Sequence, residues 1–222
     1  MPNILPIDIE MLKKGCLIAS AAHAISMAKF PDFAHEQSWD SYNFNVQSNE
    51  SRGTITFVNE NIVGVFRKDN SIRIKLYQEK SALDLFENAD DVIKNIARKD
   101  SLEYLYFNIN GTSIPVATTV FWCSEGQIVS NDTYENFLAQ GGDIIKNMFL
   151  SETEAINVWC DHYEFTPNER ALLHTILEQK ERVIANEIML TYEDYNEINF
   201  VSQSGREEFK TSLKEINVLL PS

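Results

Sequence analysis

The side chains with the greatest potential for chemistry are three cysteines and four histidines. Among them only Cys160 and His162 lie close together in the sequence. If they share a helix, positions two residues apart point to different faces and do not converge. The CxxC and HxxxH spacings that are typical of zinc sites are absent. We therefore expect no metal ligands and no cofactor.

A thiol nucleophile is the remaining catalytic option. Cys16 lies within a predicted helix and Cys123 ends an apolar run, so either thiol would need His35 or His162 to approach through the fold. An isolated cysteine is more often a buried, inert thiol than a nucleophile. No nucleophile elbow, phosphate loop or dinucleotide-binding motif is found. We expect a protein without catalytic residues.

The best candidate for a binding site is an aromatic and amide-rich segment, predicted to be a loop, that leads into the first hairpin. Large aromatic side chains beside amides are typical of recognition surfaces because they supply contact area at low entropic cost. Two arginines nearby add positive charge in an acidic chain. The candidate binding residues are Trp39, Asp40, Tyr42, Asn43, Phe44, Asn45, Arg52 and Arg67. The alternative is that the rings cover one end of the sheet.

The hairpin after this segment is indicated by residue type. Residues 54–58 are β-branched or aromatic, an Asn-Glu-Asn connection follows, and residues 62–66 supply the returning strand. Gly64, inside that strand, indicates a bulge or the close approach of another group. Alternation of apolar and polar residues over 72–76 predicts a third strand.

A second hairpin is predicted at Asn110-Gly111, the strongest turn signal in the chain. It joins a strand over 102–109 to a nearly continuous apolar run over 114–122, which we expect to be central in the sheet, with Val120, Phe121 or Trp122 in the core. Helical periodicity predicts helices over residues 7–29 and 82–98.

From residue 130 the chain is predicted to be helical. Capping-box sequences begin at Ser151, Thr166 and Thr191, and the helix after Thr166 is expected to reach about residue 188. The fold class is therefore α+β, with an antiparallel sheet of about five or six strands between residues 54 and 130, flanking helices and a helical C-terminal third. We expect a single domain over residues 1–222, with Gly141-Gly142 as the best boundary if it divides into 1–140 and 143–222.

Charge narrows the choice of partners. A formal net charge of −14 opposes binding to nucleic acid or to an anionic membrane, and it is compatible with a basic protein partner. Three scattered cysteines favour a reducing compartment, and no apolar run is long enough to span a membrane, so we expect a cytoplasmic protein. These features suit a non-catalytic binding protein of the bacterial inhibitor or immunity type. The alternatives are an enzyme that uses a Cys or His near the aromatic segment, and a dimeric structural or regulatory subunit.

Overall fold

The computed structural model describes residues 1–78, 81–182 and 187–221, which form two compact units. The first unit contains Met1–Glu10 and Asp40–Lys146, and the second contains Met11–Trp39 and Asn147–Ser222. The chain therefore passes between the units after residues 10, 39 and 146. The last of these points lies close to Gly141-Gly142. No sequence feature indicates the other two, and the expectation of a single domain stays a prediction.

The elements follow one another along the described residues as strands, α-helices and short 3-10 helices. The strands are β1 (Asn3–Ile4), β2 (Gln37–Asp40), β3 (Asn43–Gln47), β4 (Ser51–Val58), β5 (Asn61–Lys68), β6 (Tyr106–Ile109), β7 (Thr112–Pro115), β8 (Thr119–Ser124), β9 (Gln127–Ser130), β10 (Ile188–Met189) and β11 (Val218–Leu219). The α-helices are α1 (Ile9–Ser26), α2 (Asp91–Lys99), α3 (Tyr134–Ala139), α4 (Glu152–His162), α5 (Pro167–Arg182), α6 (Tyr192–Tyr195) and α7 (Gln203–Glu215). The 3-10 helices are Pro31–Phe33, Ile72–Gln78, Ala82–Phe86, Ser101–Leu105 and Gly142–Phe149.

A seven-stranded antiparallel sheet in the order β1-β9-β8-β5-β4-β3-β2 confirms the α+β class. The hairpin of β4 and β5 lies at its centre, with Val58 opposite Asn61 across a two-residue turn. Strand β8 pairs with the other side of β5, where Val65 lies opposite Val120. The chain therefore returns to the centre of the sheet after an excursion of about fifty residues, estimated from the strand bounds.

One face of the sheet forms the main core of the first unit. Val63 and Val65 of β5 share this face with Val120 and Trp122 of β8, because alternate residues of a strand point to the same side. The side chains packed over them come from the Ala82–Phe86 and Ser101–Leu105 3-10 helices and from α2, including Phe86, Ile93, Leu102 and Leu105. The prediction that the 120–122 segment is in the core is confirmed, since all three residues are almost fully buried.

Two strand glycines on the opposite face make room for aromatic rings. A β-carbon at Gly64 would lie 2.5 Å from the Phe121 ring, and one at Gly53 would lie 2.3 Å from the Phe66 ring. The close approach that the sequence predicted at Gly64 is therefore internal. These positions serve core packing.

The predicted third strand over 72–76 is wrong, because the Ile72–Gln78 segment is a 3-10 helix. Strand β5 is paired with β4 on one side and with β8 on the other, so the segment after it has no free side of β5 to pair with. Ser71 begins the helical turn by accepting a hydrogen bond from the Arg73 backbone N–H at 3.1 Å. The Arg73 guanidinium then holds the segment with two 2.7 Å bonds to the Asp132 carboxylate.

Three further predicted elements are each divided into two. The predicted strand over 102–109 is a 3-10 helix, Ser101–Leu105, followed by β6, and the apolar run over 114–122 contributes both β7 and β8. Strands β6 and β7 form a separate two-stranded ribbon. The predicted helix over 82–98 is divided into the Ala82–Phe86 3-10 helix and α2. The Asp90 carboxylate caps the start of α2 by accepting a hydrogen bond from the Ile93 N–H at 2.8 Å.

Within the second unit, helix α1 is buried over almost all of its length after Leu12. Its small residues permit close packing: a β-carbon at Gly15 would lie 2.2 Å from the Met148 carbonyl oxygen. The capping boxes at Ser151 and Thr191 are both formed. Helix α5 ends at Arg182 in the described chain, and the part of the predicted helix at 183–186 lies outside the described residues.

Candidate functional site

The aromatic and amide-rich segment consists of two strands, so the predicted loop is wrong. Strand β2 ends at Asp40, Ser41 makes the turn with a φ of 54°, and β3 begins at Asn43. The apolar residues Phe44 and Val46 alternate with polar residues in β3, as a half-buried strand requires. The alternation of apolar and polar residues indicates this strand, although aromatic and amide residues side by side suggested a loop.

Three of the candidate binding residues are buried and are not part of a recognition surface. Phe44 is fully buried, and Asn43 and Arg67 are 7% and 1% exposed. The Asn43 side-chain oxygen accepts a 2.7 Å hydrogen bond from Thr56, whose hydroxyl also lies 2.7 Å from that of Ser101. These contacts hold the Ser101–Leu105 3-10 helix against the sheet.

Arg67 ties the ends of several elements together. Its Nε donates to Asp69 at 2.7 Å, and Nη1 donates to the backbone oxygens of Leu105 and Tyr106 at 3.1 and 3.3 Å. The guanidinium carbon lies 4.6 Å from the centre of the Phe107 ring. Burial lowers the pKa of Arg67, while the hydrogen bond that Arg67 donates to Asp69 opposes that shift. An arginine with all these partners acts as a structural support.

Four exposed or half-exposed residues of the first unit form the tyrosine–aspartate patch, defined as Asp40, Tyr42, Asp100 and Tyr104. The Tyr42 hydroxyl donates to Asp100 Oδ1 at 2.8 Å, and the Tyr104 hydroxyl donates to Asp40 Oδ2 at 2.5 Å. Tyr42 is 40% and Tyr104 is 37% exposed. The two pairs connect the turn between β2 and β3 to the segment that follows α2.

The patch keeps both phenols protonated. The hydrogen bond to Asp100 raises the pKa of Tyr42. Burial and then the hydrogen bond to Asp40 raise the pKa of Tyr104 to about 12, and an interaction with Asn45 works in the opposite direction. Both tyrosines therefore remain protonated hydrogen-bond donors to the Asp100 and Asp40 side chains at neutral pH.

The backbone fixes the position of the patch. The Tyr42 carbonyl oxygen accepts a hydrogen bond from the Phe57 N–H at 2.9 Å, which ties the turn to β4. The Asp100 N–H donates to the Ile96 carbonyl at 3.0 Å, which fixes the Asp100 backbone at the end of α2. The backbone of the patch is thus fixed by hydrogen bonds within the first unit, which reduces the entropic cost of ordering its side chains.

The remaining candidates are Asn45 and Arg52 in the first unit and Trp39 in the second. Asn45 is half-buried, and its side-chain oxygen accepts a 2.8 Å hydrogen bond from Thr54. Arg52 is half-buried, with Nη2 3.8 Å from Asp69. Trp39 belongs to the second unit, where its backbone N–H donates to Glu215 at 3.0 Å. Binding by Asn45, Arg52 and Trp39 stays a prediction.

Asp100 and Tyr104 were missed by sequence reasoning. Asp100 lies between the predicted helix over 82–98 and the predicted strand over 102–109, and Tyr104 lies within that strand. Their partners lie 58 and 64 positions earlier in the chain. No local pattern reports pairing at that distance, so only the fold brings these side chains together.

The cysteines and histidines that the sequence offered as reactive groups differ in burial. All three cysteines are free, Cys16 is fully buried, and burial raises the pKa of its thiol. Cys160 is buried whereas His162 is exposed. No group of three or more His, Cys, Asp or Glu side chains within residues 1–78, 81–182 and 187–221 is arranged to hold a metal ion.

Comparisons with known proteins give no relative from which to infer a function. No family model matches the chain, and neither a curated protein nor a solved structure matches it significantly. Among the described helices, none is both long and apolar enough to cross a bilayer.

Proposed function

We propose that this protein is a non-catalytic, cytoplasmic protein-binding module of the inhibitor or immunity type, and that its tyrosine–aspartate patch recognises a basic partner. The observation that supports the proposal most strongly is the paired geometry of the patch. Two carboxylates and two partly exposed phenol rings lie together where the turn between β2 and β3 meets the segment that follows α2. Such a surface offers both charge and aromatic area.

The chemistry of the patch suits an arginine or lysine of a partner. Tyr42 occupies Asp100 Oδ1 only, and Oδ2 accepts no hydrogen bond from any residue that the structure describes. A guanidinium or ammonium group can bind this oxygen and lie against a tyrosine ring, combining an ion pair with a cation–π contact. The phenols donate hydrogen bonds but keep their protons, so they do not protonate either carboxylate.

The charge of the whole chain supports the same partner. A net charge of −14 attracts a basic protein over long range and raises its association rate at low ionic strength. The three free cysteines support a reducing compartment.

The test is affinity capture from the native cell, followed by binding measurements with the purified captured protein. We expect Tyr42→Ala and Asp100→Asn each to weaken binding about tenfold or more, the scale of a hot-spot residue. Tyr192→Ala is the matched control, because Tyr192 is an exposed tyrosine (63%) in the second unit. Affinity should also fall as salt is raised.

The outcome decides between recognition and structure. Unchanged binding by both patch variants, with wild-type melting temperatures, contradicts the proposal. A similar loss for Tyr192→Ala would mean that the effect is not specific to the patch. Capture of a basic protein whose binding is insensitive to salt would contradict the electrostatic part.

A further inference from the structure

A pocket of about 330 Å³ lies in the first unit, lined by residues on both sides of Asp100 in the sequence but not by Asp100 itself. Its walls come from the end of α2, the Ser101–Leu105 3-10 helix and the β6–β7 ribbon. Tyr106 and Pro115 lie directly opposite each other in the ribbon, so their side chains share a face. Leu102, almost fully buried, provides an apolar base.

Two adjacent cations, Arg98 and Lys99, line the pocket. Both side chains are exposed, and neither makes a hydrogen bond or an ion pair with any residue in the described parts of the chain. The chain as a whole carries 33 acids against 19 bases. Two cations that remain unpaired at a concave site are therefore contrary to the general charge balance.

The pocket offers polar groups for the charged end of a small anion and apolar surface for the rest of it. The Ser81 hydroxyl oxygen accepts from the Leu83 N–H at 3.2 Å, which leaves its hydrogen free to donate. Glu103 is the one carboxylate among the described residues that line the pocket, against the two cations Arg98 and Lys99, so the charge of these lining side chains is positive. The aromatic and apolar surface of Tyr106, Pro115 and Leu102 suits an apolar body.

We infer that this pocket binds a small organic anion, with an aromatic or compact apolar body against Tyr106 and Pro115 and a carboxylate or phosphate between Arg98 and Lys99. The volume lies at the lower end of the range for small-molecule sites. The several oxygens of a carboxylate or phosphate can accept hydrogen bonds from the guanidinium, the ammonium or the Ser81 hydroxyl, which all line the pocket. This site is separate from the tyrosine–aspartate patch and does not depend on the proposed protein partner.

The test uses the full chain and four probes: phenylacetate, phenyl phosphate, the neutral phenylacetamide, and an N-acetylated dipeptide ending in a phenylalanine carboxylate. Nuclear magnetic resonance titration measures affinities and maps the amides that shift. We expect one of the two small anions to bind at least tenfold more tightly than phenylacetamide, with shifts centred on residues 98–106. The tighter of the two identifies the anionic group.

Variants test the role of the cations. Arg98→Gln and Lys99→Gln should each weaken anion binding at least tenfold and leave phenylacetamide unchanged. Lys146→Gln is the matched control, because Lys146 is an exposed lysine of the same unit outside the pocket lining. These exposed substitutions should leave the circular dichroism spectrum and melting temperature unchanged.

Several results would overturn the inference. One is the absence of binding by either small anion at millimolar concentration. Equal affinity for phenylacetate, phenyl phosphate and phenylacetamide would remove the role of charge, and an equal loss in Lys146→Gln would show non-specific attraction. Binding of the dipeptide alone would assign the pocket to a peptide end. Patch variants such as Tyr42→Ala should not alter the result, which separates this test from that of the proposed function.

Discussion

Two tyrosine clusters in this protein use the same hydroxyl chemistry in opposite surroundings. In the first unit Tyr104 is more than one-third exposed and donates to Asp40. In the second unit Tyr163 is only 7% exposed, its hydroxyl lies 3.1 Å from His23 Nδ1, and it accepts from Gln37 at 3.3 Å. The exposed hydroxyl can exchange its partner for water, whereas the buried one cannot.

The surroundings of the rings enlarge this difference. Tyr163 is stacked on Trp159 and on Phe165, with ring centres 5.8 Å apart in each case. Burial raises the pKa of its phenol and lowers that of His23 to about 4. An exposed pair can therefore serve recognition at little cost to folding, while the buried cluster is coupled to the stability of its unit.

The largest expected effect is the loss of the buried ring. Tyr163→Ala should lower the free energy of unfolding by about 3–5 kcal/mol, the usual range for removing a buried aromatic side chain. Tyr42→Ala, at an exposed position, should cost less than about 1 kcal/mol. Urea denaturation of both variants measures the contrast. Equal costs would contradict the division between a structural and a recognition cluster.

A second effect is a dependence of stability on pH that originates at His23. Burial is the main cause of its lowered pKa, the exposed His35 and His162 lower it further, and a backbone interaction with Ala34 opposes them. The unfolded histidine binds a proton below its ordinary pKa of about 6.5, whereas the folded one does so only near 4. Stability is therefore full above 6.5 and falls as the pH is lowered toward 4.

The free energy of unfolding should fall by about 3 kcal/mol. The folded and unfolded pKa values of His23 differ by roughly 2.5, and each pKa unit corresponds to about 1.36 kcal/mol. Denaturation midpoints at pH 7 and pH 4.5 should show most of it. His23→Gln should be less stable at pH 7, and its stability should depend less on pH because glutamine does not titrate. The carboxylates are common to both proteins, so their contribution cancels in the comparison. Parallel profiles for the variant and the wild type would assign the pH dependence to other groups.

The smallest effect concerns the two hydroxyls alone. Tyr163→Phe leaves His23 and Gln37 without their shared partner in a buried site, and it should cost about 1–3 kcal/mol. Tyr104→Phe removes a partly exposed hydrogen bond and should cost less than about 1 kcal/mol. Thermal melts of the two variants sharpen the comparison. A larger cost for Tyr104→Phe would mean that the patch is needed for folding.

Local sequence signals determined the class of the fold and many of its boundaries. Asn110-Gly111 forms the predicted hairpin, with φ values of 53° and 86° that few other residue types adopt easily. The Ser151 and Thr191 capping boxes begin helices where they were expected. These features depend on groups within a few residues of one another, so their free energies can be estimated from a short stretch of sequence.

Tertiary structure alone decided which strands pair when they are distant in the sequence, and which candidate residues reach the surface. The placement of β8 beside β5 turned the predicted third strand into a 3-10 helix, and it filled the space at Gly64 with Phe121. Phe44, Asn43 and Arg67 had the residue types of a binding surface but became buried. Asp40 met Tyr104 across 64 positions. Such pairings depend on the balance of burial and chain entropy over the whole unit, which no short pattern contains.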